Sequence, residues 1–450
     1  MSDSKNREPS AAPEIPSLAK AFPVWLKIGL LSFGGPAGQI ALMHRLLVDE
    51  YKWIDEDRFL QGLNFCMLLP GPEAQQLATY VGWRMQGLLG GLIAGMLFVL
   101  PGALVIFALS VLYMEFNDLQ IMSGIFFGIK AAVIAIVLEA LIRISKKALK
   151  TWPAYFVAGV AFIAVFFFGV AFPWIVAAAA MCGFVSKRAG KSWFVAGGHR
   201  KASRASATKP MPFRSGLIAG GVCLALWLLP LGLLNFAAAD SIFTEQAIFF
   251  SKMSVVTFGG AYAVLTYVAQ QAVETLGWLN AGEMVDGLGL AETTPGPLVL
   301  VLQFVGYLGA AREATSMSPL LAGLVGSLIV LWATFLPCFA WIFLGGPFID
   351  RLSRAPALSS ALSAVTAAVV GVVLNLSLWF AIHVLFREVA AVEYGAFQFL
   401  LPSVISVDWV ALLLAGLSII ALLKFRVSVL WLLAAMGLAG LALSFSGLPV

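Results

Sequence analysis

Long apolar runs recur along this chain from residue 24 to its end, and they limit its fold more than any other feature. Many of them reach 18 residues, enough for an α-helix to cross roughly 30 Å of hydrocarbon. Only 11% of the residues are charged, whereas a soluble domain has about 25%. Because the runs lack the period-two alternation of a membrane barrel, we predict an all-α integral membrane protein.

A Pro-Gly-Pro sequence interrupts two of these runs. Its copies are Pro70-Gly71-Pro72 and Pro295-Gly296-Pro297, which lie 225 positions apart. The same shift carries Phe33-Gly34-Gly35 onto Phe258-Gly259-Gly260. Landmarks that share one register indicate a duplicated unit, because chance matches would scatter over several offsets.

The two copies divide the chain into a simple plan. We expect a disordered cytoplasmic tail, two repeats of about six membrane segments each, and an extra transmembrane helix that joins them. Since seven segments precede the second repeat, it should enter the membrane inverted, as in many secondary transporters. The predicted ranges are 1–22 for the tail, 23–186 and 245–450 for the repeats, 187–214 for a basic loop and 215–236 for the joining helix.

The loop at 187–214 fixes the predicted orientation. It contains eight lysine or arginine residues and no acidic residue, and cytoplasmic loops of membrane proteins carry such an excess. We therefore place this loop and the N-terminus in the cytoplasm. The net charge of +5 follows from loop bias of this kind, and we expect no nucleic-acid partner.

Each Pro-Gly-Pro break is predicted to end one helix and start another, giving half-helices or re-entrant segments at 60–82 and 284–310. The prolines remove two amide donors and restrict the residues before them. A half-helix that begins inside the membrane directs its amides and positive dipole end at the protein interior, which suits an anion. A kink used only for packing is the alternative. Neutral polar groups beside the breaks, such as Gln75 and Thr294, could bind oxyanion oxygens.

The Gly34-Gly35 and Gly259-Gly260 pairs would allow the backbone to approach either a ligand or another helix. The sequence leaves both interpretations open.

Lys27 and Lys252 occupy equivalent positions near the start of an apolar segment in each repeat. A lysine at the centre of a membrane span costs about 2.5–3.5 kcal/mol on insertion scales. A symmetric pair of cations indicates an anionic ligand, although both could extend to the membrane interface instead. Lys130 lies deeper in its segment, and its counterpart is Thr366, so any role would belong to one repeat only.

Two acidic residues lie next to the breaks. Glu73 follows the first break, and Glu292 lies two residues before Thr294, next to the second break. They could bind a coupling proton or form ion pairs with the lysines.

Enzymatic chemistry has little support in this sequence. The three histidines and four cysteines are dispersed, so we expect no metal site, disulfide framework or nucleophile–base pair. We predict that the protein is not an enzyme and needs no cofactor. Its expected partners are a small anion and the lipid bilayer, and a homo-oligomer remains possible.

Several motifs in order resemble the chromate ion transporter superfamily, in its long form with two fused halves. They are Ser32-Phe33-Gly34-Gly35-Pro36, Trp53-Ile54, Leu69-Pro70-Gly71-Pro72-Glu73-Ala74-Gln75 and Gly128-Ile129-Lys130-Ala131-Ala132. The resemblance implies secondary active export of chromate across the bacterial inner membrane and chromate resistance, with sulfate as the structural analogue. A carrier for sulfate or another oxyanion is the alternative. Ala261 and Leu298 stand where the first half has Pro36 and Glu73, so the halves should contribute unequally.

Overall fold

A computed structural model describes residues 15–116, 119–194, 212–258, 261–349, 355–395 and 397–446. These residues form sixteen α-helices and one β-hairpin, which confirms the predicted all-α membrane class. The helices are α1 Leu18–Leu31, α2 Gly35–His44, α3 Glu56–Cys66, α4 Glu73–Phe116, α5 Gln120–Ala148, α6 Trp152–Phe168, α7 Phe172–Arg188, α8 Phe213–Ala237, α9 Ile242–Val256, α10 Ala261–Ala269, α11 Ala281–Thr293, α12 Val301–Glu313, α13 Pro319–Gly345, α14 Pro356–Leu385, α15 Trp409–Leu423 and α16 Val429–Phe445.

Five of the described helices are long and apolar enough to cross a membrane, namely α4, α5, α8, α13 and α14. Helices α5, α13 and α14 bury more than half of their most apolar stretch, whereas α8 buries only 17% of its own. Exposed leucine and phenylalanine side chains cover the outer surface of the bundle. Such a surface suits lipid and confirms a multi-pass membrane protein.

Helix α4 consists of two antiparallel helices, which we call α4a (residues 73–85) and α4b (residues 88–116). Gln86 and Gly87 leave helical geometry between them. Small residues then bring the two helices into close contact, with Gly82 against the Gly90 carbonyl and Gly95 against Thr79. The chain therefore reverses direction after residue 85.

Both Pro-Gly-Pro breaks form the tips of helical hairpins. In the first hairpin, residues 56–85, Gly62 of α3 lies against the Tyr80 ring of α4a. In the second hairpin, residues 281–313, Gly287 of α11 lies against the Phe304 ring of α12 in the same way. The segments predicted at 60–82 and 284–310 are therefore helical hairpins and not single helices, because the break lets each chain segment return on itself.

The order of the elements repeats along the chain. A shift of 225 positions carries α1 onto α9, and it carries the π-helical turn Arg45–Glu50 after α2 onto the turn Gln270–Thr275 after α10. A shift of 257 carries the starts of α6 and α7 onto those of α15 and α16. The linking helix predicted at 215–236 corresponds to α8.

The equivalent long helices α4b and α13 run antiparallel. Gly91 of α4b faces the Phe343 ring, whereas Gly95, one turn later, faces the earlier Phe339 of α13. An inverted repeat requires this relation between equivalent helices, since a twofold axis in the membrane plane reverses their direction.

Two features differ from the sequence expectations. Helix α1 already begins at Leu18, inside the predicted tail, because Leu18 to Ala21 are all good helix formers. A β-hairpin of Val389–Tyr394 and Phe397–Pro402 lies between α14 and α15, where the first half has only the short loop between α5 and α6. Residues 1–14 of the tail and 195–211 of the basic loop lie outside the described part of the chain.

Candidate functional site

The tip of each hairpin binds the opposite half of the protein. The Gly71 amide donates to the Thr257 carbonyl over 2.8 Å, and the Gly296 amide donates to the Ser32 carbonyl over 2.9 Å. Ser32 and Thr257 are equivalent residues, which follow the last residues of α1 and α9. Each hairpin tip is therefore bonded to the end of a helix in the opposite half.

Glycine is required at both tips. Gly71 has φ +117° and Gly296 has φ +92°, backbone conformations that other residues adopt only with strain. A Cβ atom on Gly71 would also lie 2.7 Å from Cys338 Sγ. The flanking prolines fix their own φ angles, so each tip is a rigid turn.

A new helix starts after each tip, as the sequence predicts. The Gln76 amide is the first in α4a with a helical partner, the Pro72 carbonyl. The Leu300 amide similarly bonds to the Pro297 carbonyl in the second hairpin. The amides between each tip and these residues belong to the unpaired group at a helix start, which is suited to anions.

Two glutamines of the first half hold the tips. Gln39 Nε2 donates to the Gly296 carbonyl and Gln76 Nε2 donates to the Pro70 carbonyl, both over 2.7 Å. Both side chains are buried. Their second-half equivalents are Val264 and Val301, which cannot form these bonds, so the two halves contribute unequally to the centre.

The other predicted polar groups are buried close to the tips. Gln75 donates to Thr79 Oγ1 over 3.1 Å, and its Oε1 has no hydrogen-bond partner among the described residues. Thr294 donates to the Ala291 carbonyl. In this conformation the Thr294 hydroxyl satisfies its own helix end.

The two tips differ in access. Pro70, Pro72 and Glu73 are partly exposed, whereas residues 295–297 are all buried. Gly34 is exposed, and a side chain at Gly34 or Gly35 would meet no atom within 4 Å. The first tip and the Gly34-Gly35 turn are thus open, and the second tip is closed. The predicted Gly259 and Gly260 lie outside the described residues.

The structure does not bury the predicted lysine pair. Lys27 on α1 and Lys252 on α9 are both exposed, on faces opposite the buried side chains of these helices. Their role in anion binding stays a prediction.

Lys130 is brought into a buried cluster. Its Nζ lies 3.2 Å from Asp286 Oδ2, and the Tyr113 hydroxyl donates to the same oxygen over 2.8 Å. Sequence reasoning missed Asp286, although an acidic residue at the third position of the apolar segment 284–310 was a usable signal. Only the fold shows that its partners come from α4b and α5.

The two predicted acids lie in different environments. Glu292 is buried and accepts a hydrogen bond of 2.5 Å from the Tyr262 hydroxyl, so its bonded partner is a tyrosine. Glu73 is the first residue of α4a, where the positive end of the helix dipole favours its negative charge.

An ion pair closes the base of the second hairpin. Arg312 at the end of α12 donates two hydrogen bonds, of 2.6 and 2.9 Å, to the Glu283 carboxylate at the start of α11. Burial alone would raise the pKa of Glu283. The hydrogen bonds from Arg312 and the Asn280 amide, with the charges of Arg312 and Lys130, hold that pKa below its ordinary value.

The four cysteines are free. Within the described ranges, no group of three or more histidine, cysteine or acidic side chains is arranged to hold a metal ion.

A family model described as "Chromate transporter" matches residues 19–184 and 244–441. The chain belongs to the chromate transporter family. The two matched segments coincide with the two halves seen in the order of the helices. The two helical hairpins and their tips, which lie within these segments, are therefore part of the region shared with this family.

Two relatives named as chromate transport proteins match most of the chain, and an uncharacterized transporter matches about a third of it. A chromate transport protein of Pseudomonas aeruginosa is 33% identical over 376 residues, which is 81% of each chain. A chromate transport protein of Cupriavidus metallidurans is 31% identical over 353 residues, 78% of this chain and 79% of the relative. An uncharacterized Bacillus subtilis transporter is 33% identical over 146 residues, 32% of this chain and 73% of its own. No solved structure matches this chromate transporter family member.

Proposed function

We propose that this protein is a secondary active transporter that exports chromate across the bacterial cytoplasmic membrane and so confers chromate resistance. Membership of the chromate transporter family and relatives named as chromate transport proteins support this substrate. We place its N-terminus and basic loop in the cytoplasm, with the two halves as inverted repeats. It acts as a carrier and not as an enzyme.

The observation that carries this proposal is the way in which the two hairpin tips are held. Each tip bonds to the opposite half through one glycine amide. Transport by alternating access requires the two halves to change contacts around a central site. The partly exposed first tip and the buried second tip fit a carrier that is open on one side and closed on the other.

The chemistry of the centre suits a tetrahedral dianion. Unpaired amides at helix starts, hydroxyl groups and amide side chains can bind oxyanion oxygens without a permanent charge in the membrane. The two lysines would then attract the dianion to the central site. The proposed substrate site comprises Lys27, Lys252, Gly34, Gly35, Gly259, Gly260, Pro70, Gly71, Pro72, Pro295, Gly296, Pro297, Thr294 and Gln75.

Energy coupling is assigned to ionisable groups of the two hairpins and of α5. Glu73, Glu292 and Lys130 are the proposed coupling or ion-pair residues. An inside-negative membrane potential favours the exit of a dianion, at about 2.3 kcal/mol per charge per 100 mV.

Sulfate shares the shape and charge of chromate, so a carrier for sulfate or another oxyanion is the second candidate. The same amides and hydroxyls would bind it. A competition experiment separates the two candidates.

The test is chromate uptake into energised inside-out vesicles that contain this protein, compared with vesicles from cells with the empty vector. We expect accumulation that a protonophore abolishes and that excess sulfate reduces. Labelled sulfate that accumulates while chromate stays at the empty-vector level would replace the chromate assignment with the sulfate one. Vesicles that move neither anion would refute the proposal.

A further inference from the structure

The contact between Asp286 and Lys130 joins the two halves of the protein. Asp286 lies on α11 in the second hairpin, whereas Lys130 lies on α5 and Tyr113 on α4b, both in the first half. Any movement of the second hairpin relative to α5 must therefore change this contact.

The two oxygens of Asp286 are used very differently. Oδ2 accepts from Lys130 Nζ at 3.2 Å and from the Tyr113 hydroxyl at 2.8 Å. Oδ1 is buried and has no hydrogen-bond partner in the part of the chain that the structure describes. The Asp286 side chain is only 3% exposed, whereas that of Lys130 is 28% exposed. The carboxylate is therefore shielded from water, and its cationic partner leads towards the surface.

Lys130 is the single cation bonded to Asp286 among the described residues. The other nearby cation, Arg312, is held by both oxygens of Glu283. The remaining acid of α11, Glu292, is bonded to Tyr262. Helices α14 and α16 also pack against α11. The one ionisable side chain of α14 and α16 is that of His383, and it bonds to the Trp379 carbonyl.

A buried carboxylate is tolerated as an ion only while its partner remains in place. If the second hairpin moves away from α5, Asp286 loses its cation and must either keep an unpaired buried charge or take up a proton. Taking up a proton costs far less free energy than keeping an unpaired charge buried. Separation of the two halves at this point is thus linked to protonation.

From this geometry we infer that Asp286 is a proton-binding residue that couples proton movement to the movement of the second hairpin. One proton passes from water to Asp286 Oδ1 and gives a neutral carboxylic acid, while Lys130 keeps its own proton and stays an ammonium ion. Loss of the proton restores the ion pair and draws the hairpin back onto α5. This inference rests on the proposed transport function and adds Asp286 to the coupling residues.

The experiment uses the full-length protein in liposomes that contain a pH-sensitive dye. Two quantities are measured, namely the exchange of labelled for unlabelled chromate without a gradient and the proton flux that accompanies net chromate movement. In Asp286→Asn we expect exchange to persist and the coupled proton flux to be lost. The matched control is Asp408→Asn, because Asp408 is also a buried aspartate paired with a cation, Arg387, at 2.8 Å. The control should keep both activities.

A second variant separates coupling from a structural role. In Asp286→Asn/Lys130→Met the whole ion pair is neutral, so no buried charge is left alone. We expect this protein to fold and exchange chromate without proton coupling, even if the single variant is too unstable to study. Proton-coupled movement in either variant would overturn the inference, as would wild-type transport without protons. A wild-type protein that moves no oxyanion would instead refute the proposed function itself.

Discussion

The Gly71 amide in the first half and the Thr257 carbonyl in the second half are joined by a hydrogen bond of 2.8 Å. The equivalent bond from Gly296 to Ser32 measures 2.9 Å. The tip of each helical hairpin is thus held by the end of a helix in the other half. The residues of these bonds are where small changes should affect stability and transport together.

Replacing Gly71 with alanine should reduce both stability and chromate uptake. A side chain in this backbone conformation costs about 1–2 kcal/mol, and the new Cβ would crowd Cys338 Sγ and Gln76 Nε2, at 2.7 and 2.9 Å. Gly296→Ala should have a smaller effect, because its nearest neighbour is the flexible end of Leu300 at 3.2 Å. Thermal unfolding in detergent and vesicle uptake measure the two effects.

The control for these variants is Gly221→Ala in α8, where a Cβ would meet no atom within 4 Å. This change should leave the unfolding midpoint unchanged or slightly raise it, since alanine favours a helix. Equal losses of stability and chromate uptake in Gly71→Ala and Gly221→Ala would contradict the assigned role of the tip.

Gln39→Ala should destabilise the second tip from the opposite half. It removes the donor to the buried Gly296 carbonyl, and an unpaired buried polar group costs about 1–3 kcal/mol. The control is Gln271→Ala, which removes a surface hydrogen bond to Thr275 and should cost less than about 0.5 kcal/mol. Free energies of unfolding for the two variants measure this difference, and a Gln39→Ala value as small as the control would show that the bond is dispensable.

The ion pair between Glu283 and Arg312 predicts a dependence of stability on pH. The folded protein lowers the pKa of Glu283. The stabilisation that the ion pair provides is therefore complete above the unfolded pKa of about 4.3, and it is lost as pH falls through the lower folded pKa. Arg312→Met should cost about 1–3 kcal/mol near neutral pH, less than for a fully buried pair.

In the Arg312→Met variant we expect the opposite pH dependence, so that the free energy of unfolding rises as the pH falls into the acidic range. Burial of Glu283 remains while its cation is gone, so protonation would relieve the unpaired charge. Unfolding free energies of both proteins between about pH 3 and pH 7 test this. Parallel curves for wild type and variant would refute it.

Much of this fold could be predicted from the sequence because the constraints are local. Apolar length predicts helices in lipid, and two prolines around a glycine must break a helix wherever it lies. The sequence offered both half-helices and re-entrant segments at the breaks, and it could not decide whether the chain reverses at each tip, since the same break permits a crossing segment. It depends on contacts such as that of Gly62 with Tyr80.

The site was harder to predict than the fold, for the same reason. The equivalence of Gly71 and Gly296 is visible in the sequence, but their partners Thr257 and Ser32 belong to other elements. Asp286 and Lys130 are 156 positions apart, and no spacing rule connects them. Sequence pattern identifies which residues are unusual in a membrane, and only the packing decides which of them meet.

The paired lysines give the last prediction. Lys27 and Lys252 are exposed, so replacing both with methionine should leave the unfolding midpoint unchanged. Only the interaction with the substrate should weaken. The attraction between one exposed cation and a dianion is about 1 kcal/mol, so each loss should raise the KM for chromate roughly three- to tenfold. Lys20→Met, an exposed lysine on the same helix as Lys27, is the matched control. A rise in KM in the double variant alone would place both lysines in the path of the anion, whereas an unchanged KM would show that they only anchor their helices at the membrane interface.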